Sequence, residues 1–289
     1  MLLGPSASMS LLWLQVRRLA PQARTLLLTS ASNCGANAVA HLLLQLSAQP
    51  QRPFIKLATA EAELRFIHAE RLSFALRAES FYFVPDLEKL SLQAQQGLLH
   101  VLRIRRTQSL TLVASTSQDL SIAVSMGTFL PELLHALESV CIAVPSLSER
   151  TEDLPMLLQQ FISMRCSAAM RTAPRISPAL LHSAMNHPWV DNFNEFTEIL
   201  EQLLDDTVGK SELNGKDWAR AVKACKRLRP QPELQMRSLE AVLHEHVYSV
   251  LIACKGHKSR AADALGISRS SLYRILDDMR QGTSGFLAR

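Results

Sequence analysis

Five short apolar runs in the first half of the chain alternate with longer stretches of helical periodicity. The runs are Thr25–Thr29, Pro53–Leu57, Ser80–Val84, Leu110–Ser115 and Val140–Val144. Each is apolar at successive positions, as a strand covered on both faces must be. Between them lie Ala36–Leu46, Ala62–Leu76, Leu92–Ile104 and Phe129–Leu137, with the spacing of helices. Parallel neighbours need a crossover, and crossover helices cover both sheet faces, so the pattern predicts a parallel five-stranded αβα sandwich. From Ser148 the pattern turns purely helical, with Leu154–Met164, Pro178–Met185 and Phe193–Leu204. The expected division is an α/β domain over 1–147, a helical subdomain over 148–205, a linker over 206–236, an all-α domain over 237–280 and a tail over 281–289. Gly209, Gly215, Pro230 and Pro232 mark the linker, with one helix near Trp218–Arg227.

The stretch Gly256–Asp277 reads as two short helices joined by a tight turn. Gly266 supplies the positive-φ residue that ends the first helix, near Ser259–Leu265, and Ser268 sits where an N-cap belongs. In the second helix Leu272, Ile275, Leu276 and Met279 share one face, and Ser270, Tyr273, Arg274 and Asp277 the other. Ala261, Ala262 and Leu265 let the helices cross closely around Ile267. This is a helix-turn-helix. Ser268, Arg269, Ser270, Ser271, Tyr273 and Arg274 are the expected groove-facing residues, while Lys258, Ser259 and Arg260 are expected to hold phosphates. The helix over Leu239–Cys254 carries Leu239, Val242, Leu243, His246, Val247, Val250 and Leu251 as a stripe wider than the hairpin needs. The excess is assigned to a homodimer contact.

Composition narrows the classes. Apolar residues make up 47% and charged residues 20%, the balance of a folded globular protein, and no apolar run reaches membrane-spanning length. Met1–Ala20 lacks the basic start of a signal peptide. Five scattered cysteines form no Cys-x-x-Cys pair and read as reduced cytosolic thiols, so the expected location is the cytoplasm. Up to Leu204 basic and acidic residues balance at 16 each, and from Asp205 onward there are 15 basic and 10 acidic, so the excess of five lies in the tail that carries the helix-turn-helix. Double-stranded DNA is the expected partner. His244, His246 and His257 lack acidic or cysteine partners at ligand spacing, so no metal site is expected. Ser30, Ser32 and Cys34 lie on a strand-to-helix turn without a nucleophile elbow. Arg103, Arg105 and Arg106 read as a solvated surface.

The segment Leu239–Leu276 resembles the Fis-type DNA-binding domain that ends bacterial enhancer-binding proteins of the nitrogen-regulator family. The rest resembles the AAA+ module of the same proteins. Gly4, Ser6 and Met9 match its opening, Gln95…Leu98-Leu99-His100-Val101-Leu102 its middle, and Val144-Pro145-Ser146-Leu147-Ser148-Glu149-Arg150-Thr151-Glu152-Asp153-Leu154-Pro155 the entry to its lid. Trp189, Asn192 and Glu195 are similar to the lid's Trp-Pro-Gly-Asn-Val-Arg-Glu-Leu.

Against that resemblance the nucleotide positions depart. In Ser30-Ala-Ser-Asn-Cys-Gly-Ala-Asn37, Gly35 alone remains of the phosphate-loop glycines, Ala36 stands at the lysine position, and Asn37 offers no metal-binding hydroxyl. Pro85 replaces the metal-side aspartate, with Asp86 retained beside it. Ser117 stands at the sensor asparagine, Leu130 and Ala136 at the arginine fingers, and Asn194 at the lid's sensor arginine. Only 22 residues separate the second and third apolar runs, and none resembles the Gly-Ala-Phe-Thr-Gly-Ala loop that touches sigma-54. The expectation is a DNA-binding transcriptional regulator with no catalytic residues and no cofactor. Two alternatives stay open: a switch that binds nucleotide without hydrolysing it, and a partner of active AAA+ paralogues. RNA polymerase is a further candidate partner.

Overall fold

The computed structural model describes residues 4–22, 25–68, 80–104, 111–138, 140–228, 239–254 and 256–282. Helix α1 (Ala7–Leu19) leads into β1 (Thr25–Ser30), α2 (Ala36–Gln45), β2 (Phe54–Lys56), α3 (Thr59–Ile67), β3 (Phe81–Val84) and α4 (Leu92–Ile104). Then come β4 (Thr111–Thr116), α5 (Leu120–Met126), α6 (Pro131–Leu137) and β5 (Cys141–Val144). The strands form one sheet in the order β2-β3-β4-β1-β5, and every pairing is parallel. Alternate residues serve opposite layers. Leu26, Leu28, Phe81, Phe83 and Val113 pack with α1 and α2, while Leu27, Tyr82, Val84, Leu112 and Ala114 pack with α3 to α6. The parts of the expected helix and strand that fall at 69–76 and Leu110 lie outside the described residues.

One α-helix of this domain escaped the sequence reading. Helix α5 is seven residues long and apolar on most sides, with Leu120, Ile122, Ala123 and Met126 buried, so its periodicity gives no helical signature. Fully buried Gln95 fixes the chain that follows. Its amide donates to the carbonyls of Leu90 (2.8 Å) and Thr128 (3.0 Å), and its Oε1 accepts from the N–H of Leu130 (2.9 Å).

The helical subdomain comprises α7 (Leu154–Ala168), β6 (Arg175–Ile176), α8 (Pro178–Met185), α9 (Asn192–Asp206), β7 (Glu212–Leu213) and α10 (Gly215–Leu228). Here the structure corrects the expected linker. Residues 206–228 are folded: β7 pairs with β6, and Trp218, Ala221 and Cys225 of α10 are buried with Trp189, Phe196 and Leu200 in one core. Glycines and exposed charges gave the segment a linker's composition, but one face of α10 is apolar enough to bury.

Helices α11 (Leu239–Ala253), α12 (Lys258–Leu265) and α13 (Arg269–Gly282) complete the chain. Val247, Leu251, Ala261, Ala262, Leu272 and Leu276 form their core, and Ile122 and Met126 of α5 belong to the same cluster. The helix-turn-helix therefore rests on the α/β domain. Tyr248 Oη donates to Gln118 Oε1 at 3.0 Å, and Gly256 lies against Ser125. This placement corrects the reading of the α11 stripe, since part of its breadth is used against α5. His246 is exposed and does not belong to the stripe, whereas Leu243 and Ile252 remain 43% and 46% exposed.

Candidate nucleic-acid interface

The turn between α12 and α13 has the geometry a DNA-reading hairpin needs. Gly266 adopts φ 67°, closing α12 with its N–H on the carbonyls of Ala262 and Asp263. Ser268 Oγ accepts the N–H of Ser271 at 3.1 Å and lies 2.8 Å from the hydroxyls of both Ser270 and Ser271. With Leu272 and Leu276 buried, rotation about α13 is fixed, and Arg269, Ser270, Tyr273 and Arg274 face outward. Ser259 and Arg260 are exposed on α12, and Lys258 places its ammonium 5.1 Å from the centre of the Tyr273 ring. The nine residues expected at the interface thus lie on the two helices of one hairpin, with only Lys258 and Ser271 partly covered. The side chains of Asp277 and Met279 lie outside the described residues.

The nucleotide-type positions gather around the carboxyl ends of β1, β3 and β4. Asn33 (φ 58°) and Gly35 (φ 93°) give the turn after β1 its left-handed residues, and asparagine tolerates that region better than other non-glycine residues. Ala36 and Asn37 open α2 without a cation. Asp86 (φ 50°) follows Pro85, and its carboxylate is held by Lys89 at 2.9 Å, an interaction that raises the lysine's pKa. Ser117 gives its N–H and its hydroxyl to Glu88 Oε1, at 3.2 and 2.7 Å. Asn194 is exposed on the first turn of α9. Cys34 is buried in the turn, and burial pushes its thiol up to about 11, which removes the thiolate character a nucleophile requires.

Sequence reading missed what covers this turn. Asn33 Nδ2 donates to Asp191 Oδ1 at 2.7 Å, and the Phe193 N–H donates to the Asn33 carbonyl at 3.2 Å. Asn192 reaches both ways, donating to the Ser32 carbonyl (2.9 Å) and accepting from the Leu147 N–H (3.0 Å). Glu195 holds the loop in place by accepting from the Asp191 N–H and lying 3.1 Å from His187 Nε2. Beneath it Arg150 is fully buried, 5.0 Å from the centre of the Phe193 ring, and burial lowers its pKa. The matched opening motif also acquires a reason. Buried Asp153 accepts the Ser6 N–H and hydroxyl, each at 2.8 Å, and a β-carbon on Gly4 would fall 1.9 Å from the Asp153 carboxyl carbon.

Two family models match the chain: the sigma-54 interaction domain over residues 3–147 and the bacterial regulatory protein, Fis family, over residues 238–278. The chain belongs to the family of sigma-54-dependent transcriptional regulators. It is 26% identical to the transcriptional regulatory protein ZraR of Salmonella typhi, covering 95% of this chain and 68% of that protein. It is 25% identical to the DNA-binding transcriptional regulator NtrC of a Bradyrhizobium strain, covering 96% of this chain and 69% of the relative. Among solved structures, NtrX of Brucella abortus in complex with ADP superposes with a TM-score of 0.68 at 22% identity. That match covers 96% of this chain and 69% of NtrX. The αβα sandwich and the Fis-type helix-turn-helix are thus family features, and DNA binding by the latter is the family's mode of action. No described helix is long and apolar enough to cross a membrane.

Proposed function

We propose that the chain is a sequence-specific DNA-binding regulator whose AAA+-like part is a scaffold that does not hydrolyse ATP. The carrying observation is the direct tie between the turn after β1 and the start of α9, made by Asn33, Asp191, Asn192 and Phe193. In an ATPase of this architecture the nucleotide bridges phosphate loop and lid, and charge must be stabilised on the transferring phosphoryl group. Here protein groups make the bridge. Ala36, Pro85, Leu130, Ala136 and Asn194 supply no charge where the resemblance places a lysine, a metal ligand or an arginine. The loss is distributed over separate elements, so no single replacement restores turnover.

In this reading α13 enters the major groove. Arg269 and Arg274 read base edges, and Lys258, Ser259 and Arg260 set the register on phosphates. The exposed Leu243 and Ile252 on α11 support pairing of two copies at a two-fold site, about one DNA turn between recognition helices. Full-chain binding to a selected DNA pool, measured across a salt series with and without ATP, tests the proposal. Sequence-selective binding indifferent to ATP, with no phosphate release, is the expected result. ATP-dependent binding would overturn the scaffold reading in favour of a nucleotide switch. The contact that would carry such a switch is Tyr248 on Gln118, the residue next to Ser117.

A further inference from the structure

The sheet order opens a crevice beside the turn after β1. Strands β1 and β4 are neighbours, but the chain leaves them toward opposite edges of the sheet. From β1 it continues through α2 to β2, and from β4 through α5 and α6 to β5. At such a switch point the two connections part above the carboxyl ends of the strands, and a ligand can enter between them. A cavity of about 690 Å³ lies there, within the range of roughly 300–1,000 Å³ that houses small molecules.

Its chemistry is the reverse of a phosphate site. Asp119 and Glu138 bring two carboxylates to it, and no lysine, arginine or histidine is among the described residues that line it. Both carboxylates are exposed, and neither forms an ion pair among the described residues. The hydroxyls of Ser30 and Ser121 add donors and acceptors, and Leu27, Leu120 and Leu134 add apolar surface. The negative field extends to α11: burial, and after it the charges of Glu88 and Asp119, raise the pKa of Tyr248. A polyphosphate would meet repulsion here without a compensating cation. Among the described residues no group of three or more ligating side chains could hold a metal ion, so the complementary ligand is an organic cation.

The crevice also touches the helix-turn-helix domain. Gln118 lines it and accepts the Tyr248 hydroxyl of α11 at 3.0 Å. The Gln118 backbone is pinned, since its N–H donates to Thr116 Oγ1 at 3.2 Å and its carbonyl accepts from the same hydroxyl at 3.1 Å. Its side chain is therefore the part that a ligand can redirect. Leu120 and Ser121, which also line the crevice, begin α5, and Ile122 and Met126 of α5 pack into the core of the hairpin domain. We infer that the crevice is an effector site for a small hydroxylated amine, bound through Asp119 and Glu138. Its donors draw Gln118 away from Tyr248 and loosen the hairpin from α5. The inference goes beyond the scaffold reading and takes from it only that no nucleotide fills the crevice.

Cys141 supplies a local probe. It lines the crevice and is exposed, whereas Cys34, Cys166 and Cys225 are buried and Cys254 is partly covered. The full chain is titrated with ethanolamine and with glucosamine, with glucose and ATP as the uncharged and anionic comparisons. The reaction of its thiols with a chromogenic disulfide reagent is followed, and Cys141→Ser assigns the Cys141 phase. Either amine should slow that phase, and glucose should not. Glu138→Gln should weaken the protection about tenfold or more, through the loss of one charge-assisted contact. Hydrogen exchange over α11 should quicken in saturating amine. In Tyr248→Phe, which has no hydroxyl to displace, it should be quick already and change little when the amine is added. Protection by neither amine overturns the inference. So does equal protection by glucose, or protection that leaves exchange over α11 unchanged. Protection by ATP alone would overturn the inference and count against the scaffold reading as well, so the two failures are told apart.

Discussion

The turn at Asn33–Gly35 and the turn at Gly266–Ser268 are built alike and end differently. Each passes through left-handed backbone and opens a helix, α2 in one case and α13 in the other. The first is covered by the start of α9 and bonded to it through Asp191, Asn192 and Phe193. The second leaves its hydroxyls and arginines to solvent. A fold needs only the backbone shape of such a turn; chemistry needs the side chains around it. The first turn keeps its shape with one glycine and an asparagine. The second keeps both shape and the polar side chains its partner would meet.

The largest effect that sharpens this contrast is expected from Leu272→Ala. Leu272 is fully buried where α13 meets α12, so truncation should cost about 2–5 kcal/mol within the hairpin. Hydrogen exchange should rise over α11–α13 while the amides of β1 and β4 keep their protection. Equal loss in both regions would mean that the hairpin and the α/β domain unfold as one unit, bound through Ile122 and Met126. Next comes Arg274→Ala, which removes an exposed guanidinium and no packing. It should lower affinity for the selected site by about 1–3 kcal/mol and leave random-duplex affinity changed by far less, measured by anisotropy. An equal loss on both duplexes would reduce Arg274 to a phosphate contact.

A smaller effect is expected at the covered turn. Asp191→Ala deletes the acceptor of Asn33 Nδ2, and one such hydrogen bond is worth about 1 kcal/mol. Exchange should quicken at Ser32–Asn37 and at the start of α9, with DNA binding unaffected. If DNA binding changed as well, the tie would reach the hairpin, and the path through Ser117, Gln118 and Tyr248 would be the one to follow.

What could be read in advance follows a physical division. The five strands were legible because each is a short, largely apolar run, although the edge strands β2 and β5 prove to be covered only in part, and the hairpin because Gly266, Ser268 and the Leu272/Leu276 pair each fix one feature of its geometry. Helix α10 was legible as a helix but not as part of a core, since burial depends on Trp189 and Phe196 from segments far away in sequence. The tie over the first turn was invisible for the same reason, as Asn33 and Asp191 are 158 residues apart. Replaced residues could be recognised as losses from the resemblance. That Asn33 and Asp191 meet each other is a property of the folded chain alone.

The change expected to leave hydrolysis untouched tests the comparison most directly. Ala36→Lys returns the phosphate-binding cation to the first turn of α2, where Ala36 is half-buried. A charge-assisted contact of that kind is worth about 1.5–3 kcal/mol, enough to raise weak nucleotide affinity tenfold or more. Hydrolysis should nevertheless stay at background in a phosphate-release assay. Pro85 still offers no metal ligand, Asp86 is paired with Lys89, and Ser117 is held by Glu88. Leu130, Ala136 and Asn194 still bring no positive charge to a leaving or transferring phosphate. Tighter binding without turnover would place the two functions on separate residues, as the two turns already suggest. Turnover from this one change would mean that the remaining replacements are tolerated by the chemistry, and that Ala36 alone separates the first turn from a working site.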